Sequence, residues 1–200
     1  MRDKVKIAVF VSGGGTNLQA LIDAERAGLI SDGEIALVIC NRSGAYALER
    51  AASAGIDAEV VTRKACGGQE GFEARILELL EARGIELIVL AGFLAILGGE
   101  LLKEYADKIV NIHPSLIPSF CGDGYYGLKV HEEALKYGVK VTGATAHLVN
   151  EITDGGRILI QKAVYVQDGD TPEILQKRVM EEAEWNILPE AVEMVCKGEI

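Results

Sequence analysis

The chain has 200 residues, 49% apolar and 25% charged, the size and mix of one globular domain with a single core. Its net charge of −10, from 20 basic and 30 acidic side chains, excludes a large nucleic-acid footprint, which needs a basic surface to displace phosphate counterions, but not a small anionic ligand held locally. The four cysteines lack CxxC spacing, the N-terminal apolar stretch is too short for a signal peptide, and the run Leu87 to Leu97 is about half of a membrane span, so free thiols in a cytoplasmic protein without a membrane partner are expected.

Strand and helix signals then alternate along the chain. Val5–Val11 is a β-branched run, and Thr16–Ala27 follows with Leu18, Leu21 and Ile22 at helical spacing. Glu34–Cys40 reads as a strand, Ala45–Ala54 as a helix and Asp57–Thr62 as a short strand. Gly71–Arg83 carries Phe72, Ile76, Leu79 and Leu80 on one helical face. Ile85–Ala91 is apolar throughout, the pattern of a strand covered on both faces. Lys108–His113 is a further strand and Gly127–Tyr137 a helix. Thr142–Val149 and Arg157–Val166 are two longer strands, with the turn signal TDGG between them. The last helix opens at Thr171-Pro172-Glu173, an N-cap, a proline at the first helical position and an acid in the first turn. Pro189 is expected to kink or interrupt it. This alternation predicts an α/β fold: an open, mainly parallel Rossmann-like sheet with helices on both faces and antiparallel C-terminal strands.

Ligands of such sheets bind beyond the carboxyl ends of the strands. Three segments fall there: Ser12–Asn17, Ala91–Leu97 and Asn111–Ser119. The first reads SGGGTN. Glycines between a strand and a helix leave backbone N–H groups free for a phosphate, and Thr16 and Asn17 add donors. The dinucleotide fingerprint is incomplete, because Leu18 stands at its third glycine and Asn41-Arg42 where an acid would take the ribose. A tight turn with Thr16 as N-cap explains the loop equally well.

The segment NIHPSLIPSF carries more chemistry. Residues two apart on a strand face the same way, so Asn111 and His113 project together while Ile112 enters the core. An amide and an imidazole side by side can hold an oxygen that becomes negative during acyl transfer. A hydrogen-bonded histidine at a strand end is the plainer alternative, and it is the reading given to His131 and His147. Three scattered histidines without HExxH spacing or cysteine partners make no metal site. Asp154, which opens the Asp-Gly-Gly turn, can raise the pKa of His113 if the two meet.

SGGGTNLQ, VLAGFLAIL, NIHPSLIP and TDGG occur in this order and at these intervals. From about Lys6 to about Pro189 the chain resembles the folate-dependent formyltransferases, and within them the phosphoribosylglycinamide branch. The resemblance implies one formyltransferase catalytic domain over 1–200, acting in purine biosynthesis. It would pass a formyl group from 10-formyltetrahydrofolate, a co-substrate, to a glycinamide nucleotide without a metal. It implies that Asn111, His113 and Asp154 are catalytic, that Gly15, Thr16, Asn17 and Glu184 hold the nucleotide (Glu181 a weaker candidate), and that Gln69, Leu94, Ala95, Ile96, Leu97 and Asn111 meet the folate, with Val149–Asp154 as the other wall. Small-molecule substrates, no nucleic acid and no membrane, in a monomer or homodimer, complete the expectation.

The chain departs from that pattern at Gln69 and Ala95, where many members have arginine, at Trp185, and in FCGDGYYG, about five residues longer than the shortest version. Methionyl-tRNA formyltransferases carry an additional C-terminal domain, and formyltetrahydrofolate deformylases an N-terminal one; neither is expected here. A dinucleotide-dependent oxidoreductase would explain the glycine loop but leaves NIHPS unexplained.

Overall fold

The computed structural model describes residues 3–200. Seven strands form one sheet in the order β3-β2-β1-β4-β5-β6-β7: β1 Val5–Val11, β2 Gly33–Cys40, β3 Ala58–Val60, β4 Leu87–Leu90, β5 Ile109–His113, β6 Val141–Leu148 and β7 Ile158–Tyr165. Pairing is parallel from β3 to β5 and antiparallel for β5 with β6 and β6 with β7. The mixed, Rossmann-like sheet is the expected one, and its antiparallel part begins one pairing earlier than the turn signal alone indicates.

The helices are α1 Thr16–Arg26, α2 Tyr46–Ala54, α3 Gln69–Arg83, α4 Gly99–Glu104, α5 Leu128–Tyr137, α6 Pro172–Val179 and α7 Trp185–Lys197. Alternation along β1 divides the core. Ile7, Val9 and Val11 join the cluster that includes Leu18, Leu21, Leu175 and Leu188 of α1, α6 and α7. Ala8 and Phe10 join Phe72, Ile76 and Leu80 of α3 and Leu101 of α4 on the other face. Every residue of β4 is buried, as its unbroken apolar run requires.

Three details differ from expectation. α4 is an extra helix of six residues, too short to show a period. β3 keeps only Ala58–Val60 of the expected strand. Pro189 lies inside α7 without ending it; the interruption comes earlier, as a π turn at Met180–Glu184. The wider turn loosens carbonyls, and Asn186 Nδ2 donates to two of them, Glu181 O and Glu182 O, both at 3.1 Å. Thr171 caps α6 as expected, its hydroxyl accepting from Ile174 N.

Candidate active site

β1 lies between β2 and β4, so the chain winds in opposite directions from it and a crevice opens at the carboxyl ends of β1 and β4. Ser12 follows β1, and its hydroxyl accepts from Leu94 N at 2.8 Å, joining the glycine loop to the loop after β4. Two hollows, about 170 and 600 Å³, lie at the other end of the strands, beside Asp107 and Arg157 and beside Lys6 and Gly84. The candidate site is an open crevice instead.

β5 brings Asn111 and His113 to that crevice, and Ile112 turns into the core. Across the antiparallel pair their register partners are His147 and Thr145 of β6. His147 is therefore part of the site, contrary to its reading as an ordinary strand residue. Its Nε2 is 3.0 Å from Asn111 Nδ2, and its Nδ1 donates to Leu148 O at 2.8 Å. Cross-strand neighbours stand this close in an antiparallel ladder, but only the register reveals them. Thr145 fastens the following loop, donating to Ser115 O at 2.7 Å and accepting from Ile117 N at 3.1 Å.

Asp154 arrives from the turn between β6 and β7, with Oδ2 3.4 Å from His113 Nδ1 and Oδ1 3.6 Å from His147 Nε2. The long loop after Pro118 grips both partners. His113 Nε2 donates to Phe120 O at 2.9 Å, and Gly122 N donates to Asp154 Oδ2 at 2.8 Å. Thr153 Oγ1 adds a bond to Asp123 Oδ1 at 2.9 Å. Phe120 and Asp154 are both left-handed, at φ 48° and 54°, a conformation rare for a phenylalanine and one that strained functional loops retain. The second glycine of the turn is obligatory, since a Cβ at Gly156 would lie 1.8 Å from Leu148 O.

Burial pulls the pKa of His113 below the ordinary histidine value, while Asp154 and the Phe120 carbonyl push it up. The expected support from Asp154 is thus present in direction, but desolvation outweighs it. Asp154 is held below the usual carboxylate range: burial raises it, and His147, His113 and the Gly122 N–H together lower it further. Since a carbonyl only accepts, Nε2 of His113 carries a proton, and Nδ1 is the atom at which the ring exchanges one beside Asp154. His131, fully buried on α5, has its pKa drawn down to about 4 by burial and by His113; it is a neutral core histidine.

At the glycine loop, Gly15 rather than Thr16 occupies the N-cap position of α1, at φ 69°. A side chain there would meet Ala47 Cβ at 2.7 Å. Arg50 of α2 donates to Gly14 O at 2.8 Å and holds the loop against α2. Thr16 is half-buried, its hydroxyl 3.8 Å from the sulfur of Met180. Asn17 does not face outward as a free donor. It is buried and donates to Glu184 Oε2 at 2.7 Å, and its Oδ1 has no partner among the described residues. Burial pushes Glu184 up to about 7, against the bond from Asn17. Gly15, Thr16, Asn17 and Glu184 therefore form one cluster, with the π turn delivering Glu184. Glu181 is exposed, near Lys177.

In the loop after β4, Leu94 and Ile96 are exposed, Ala95 is half-buried, and Leu97 turns into the core, leaving its backbone as its only contribution. Gln69 donates to Ile96 O at 3.2 Å and to Glu73. Arg63, which the sequence reading did not single out, donates to the same carbonyl at 2.9 Å, so a guanidinium stands at this rim although Gln69 and Ala95 supply none. Ile152 is exposed on the 149–154 segment. Exposed Leu94, Ile96 and Ile152 beside backbone polar groups suit a flat, partly apolar ligand such as a pterin. Among the described residues no group of His, Cys, Asp and Glu has the arrangement of a metal site, and no helix is long and apolar enough to cross a membrane.

A family model described as formyl transferase matches residues 5–192. The trifunctional purine biosynthetic protein adenosine-3 of Gallus gallus is 44% identical over 198 residues, covering 99% of this chain and 19% of the avian protein. The chain thus spans about a fifth of that relative's length. The chloroplastic phosphoribosylglycinamide formyltransferase of Arabidopsis thaliana is 38% identical, covering 98% of this chain and 66% of the plant protein. Among solved structures, glycinamide ribonucleotide transformylase 1 from Symbiobacterium toebii superposes with a TM-score of 0.91 at 42% identity, covering 98% of this chain and 89% of that one.

Proposed function

The chain belongs to the formyl transferase family, and on that premise we propose that it transfers the formyl group of 10-formyltetrahydrofolate to the amine of 5-phosphoribosylglycinamide. The products are the formylated glycinamide nucleotide and tetrahydrofolate, in purine biosynthesis. The observation that carries this reading is the convergence of two segments distant in sequence: His113 Nδ1 lies 3.4 Å from Asp154 Oδ2, with Asn111 beside it on β5.

The folate supplies a formyl carbon bonded to a nitrogen that can leave. As the substrate amine bonds to that carbon, Asn111 Nδ2 donates to the carbonyl oxygen that becomes negative. The bond from the carbon to the folate nitrogen then breaks, and the proton lost by the amine passes to the departing nitrogen. His113, acting at Nδ1, and Asp154 carry that proton between the two. Phosphate binding falls to backbone N–H groups at the start of α1, with Gly15 allowing the close approach and Thr16 adding its hydroxyl. Asn17 and Glu184 act as a pair toward the nucleotide. The Leu94–Leu97 backbone, Leu94, Ile96 and Ile152 take the pterin, and Gln69 and Ala95 border its tail. The reading needs no metal and no partner beyond the two small molecules.

The test is the split between turnover and binding. Asn111→Ala should lower kcat by about 10²–10³, the usual loss for one such donor, and His113→Ala by about 10²–10⁴, the usual contribution of a positioned proton carrier; both should leave the two substrates' affinities nearly unchanged. Wild-type turnover in either variant contradicts the assignment.

A further inference from the structure

An asparagine side chain has nearly the same shape either way round, so only its polar neighbours decide whether NH₂ or C=O points at a given atom. For Asn111 the neighbour is His147, fully buried and 3.0 Å away. The other ring nitrogen of His147, Nδ1, lies 2.8 Å from Leu148 O. A carbonyl only accepts, so Nδ1 carries the proton, and in the neutral ring Nε2 presents a bare lone pair. An amide oxygen set against that lone pair would oppose two acceptors; an NH₂ makes a hydrogen bond. One charged group competes. Asp154 Oδ1 favours a proton on Nε2, but at 3.6 Å it is outside hydrogen-bond reach while Asn111 is within it. His113, the other titratable group here, meets Asp154 through Oδ2.

We propose that His147 is a positioning residue: the tautomer imposed by the Leu148 carbonyl turns the Asn111 amide so that its NH₂ has one hydrogen on His147 and the other free for the reacting oxygen. The inference rests on Asn111 being the oxyanion donor in the function proposed above. Without His147 the amide rotates, and its C=O spends part of the time where a donor is needed. His147→Leu should therefore lower kcat by about tenfold to a hundredfold, less than loss of the donor itself. Both KM values should stay within about twofold, the pattern of an interaction made only in the transition state. His147→Gln keeps an accepting oxygen near the Nε2 position and should restore most of the turnover. In an Asn111→Ala background, His147→Leu should cost little more, because the group it orients is gone. A merely structural histidine would give neither the rescue nor the masking. Nitrogen-15 NMR of the wild type reads the tautomer of the neutral ring without any variant, and the expected spectrum has Nδ1 protonated and Nε2 bare. An Nε2–H tautomer in an active wild type, unchanged kcat in His147→Leu, or a full additional loss in the Asn111→Ala background overturns the inference alone. A wild type that transfers no formyl group defeats the functional reading as well.

Discussion

Glu184 closes the π turn, is buried, and accepts a hydrogen bond from Asn17. Burial lifts its carboxyl from 4.5 to about 7, which makes the charge a burden on the fold. Between those two values the folded protein keeps a proton that the unfolded chain has lost. Stability therefore falls as pH rises through this window, and the cost is fully present above about 7. At about 1.4 kcal/mol per unit, the shift corresponds to about 3 kcal/mol. Glutamine keeps the oxygen that Asn17 Nδ2 needs and carries no charge to bury. Glu184→Gln should then match the wild type at about pH 4 and exceed it by up to about 3 kcal/mol at about pH 8. In thermal unfolding that is roughly 6–12 °C for a chain of this size. Urea titrations across the pH range give the same quantity directly. The variant should also bind the nucleotide less well, the usual exchange of stability for function at a strained site. A Glu184→Gln protein that is less stable than wild type at alkaline pH, or whose stability keeps the wild-type pH slope, refutes the reasoning.

Asp154→Asn should lower the His113 pKa further, because burial then acts without the opposing carboxylate; an unchanged titration of the ring protons shows that Asp154 is not its partner. Gln69→Arg should tighten folate binding, more at low salt than at high. Because Glu73 accepts from Gln69 and would neutralise the new guanidinium, Glu73→Gln in the same background should enlarge the gain. A salt-independent effect means that this side chain does not approach the anionic tail.

Periodicity made the sheet legible, since alternating apolar strands and amphipathic helices are local patterns. α4 escaped because six residues that open on a glycine show no period. The NIHPS motif put Asn111 and His113 on one face by the two-residue repeat alone. His147 fell in the right strand, yet its role depends on the register of β5 with β6, which no local pattern encodes. Asn17 left a readable signal: it stands four residues before Leu21 and seven before Ala24, on the stripe that α1 buries. A polar residue on that stripe needs a buried partner, and Glu184 is that partner. The grip of Phe120 and Gly122 on His113 and Asp154 depends on how a long loop folds back. Composition marks that loop as irregular but not where its carbonyl and N–H point.

The central claim is tested most directly by identifying the product. The purified chain is given 10-formyltetrahydrofolate with an isotopically labelled formyl group, and phosphoribosylglycinamide, methionyl-tRNA and water are offered in turn as acceptors. The predicted result is labelled formylglycinamide nucleotide with the first acceptor, and little formylated tRNA or free formate with the others. Efficient release of formate, or formylated tRNA without formylated glycinamide, would contradict it.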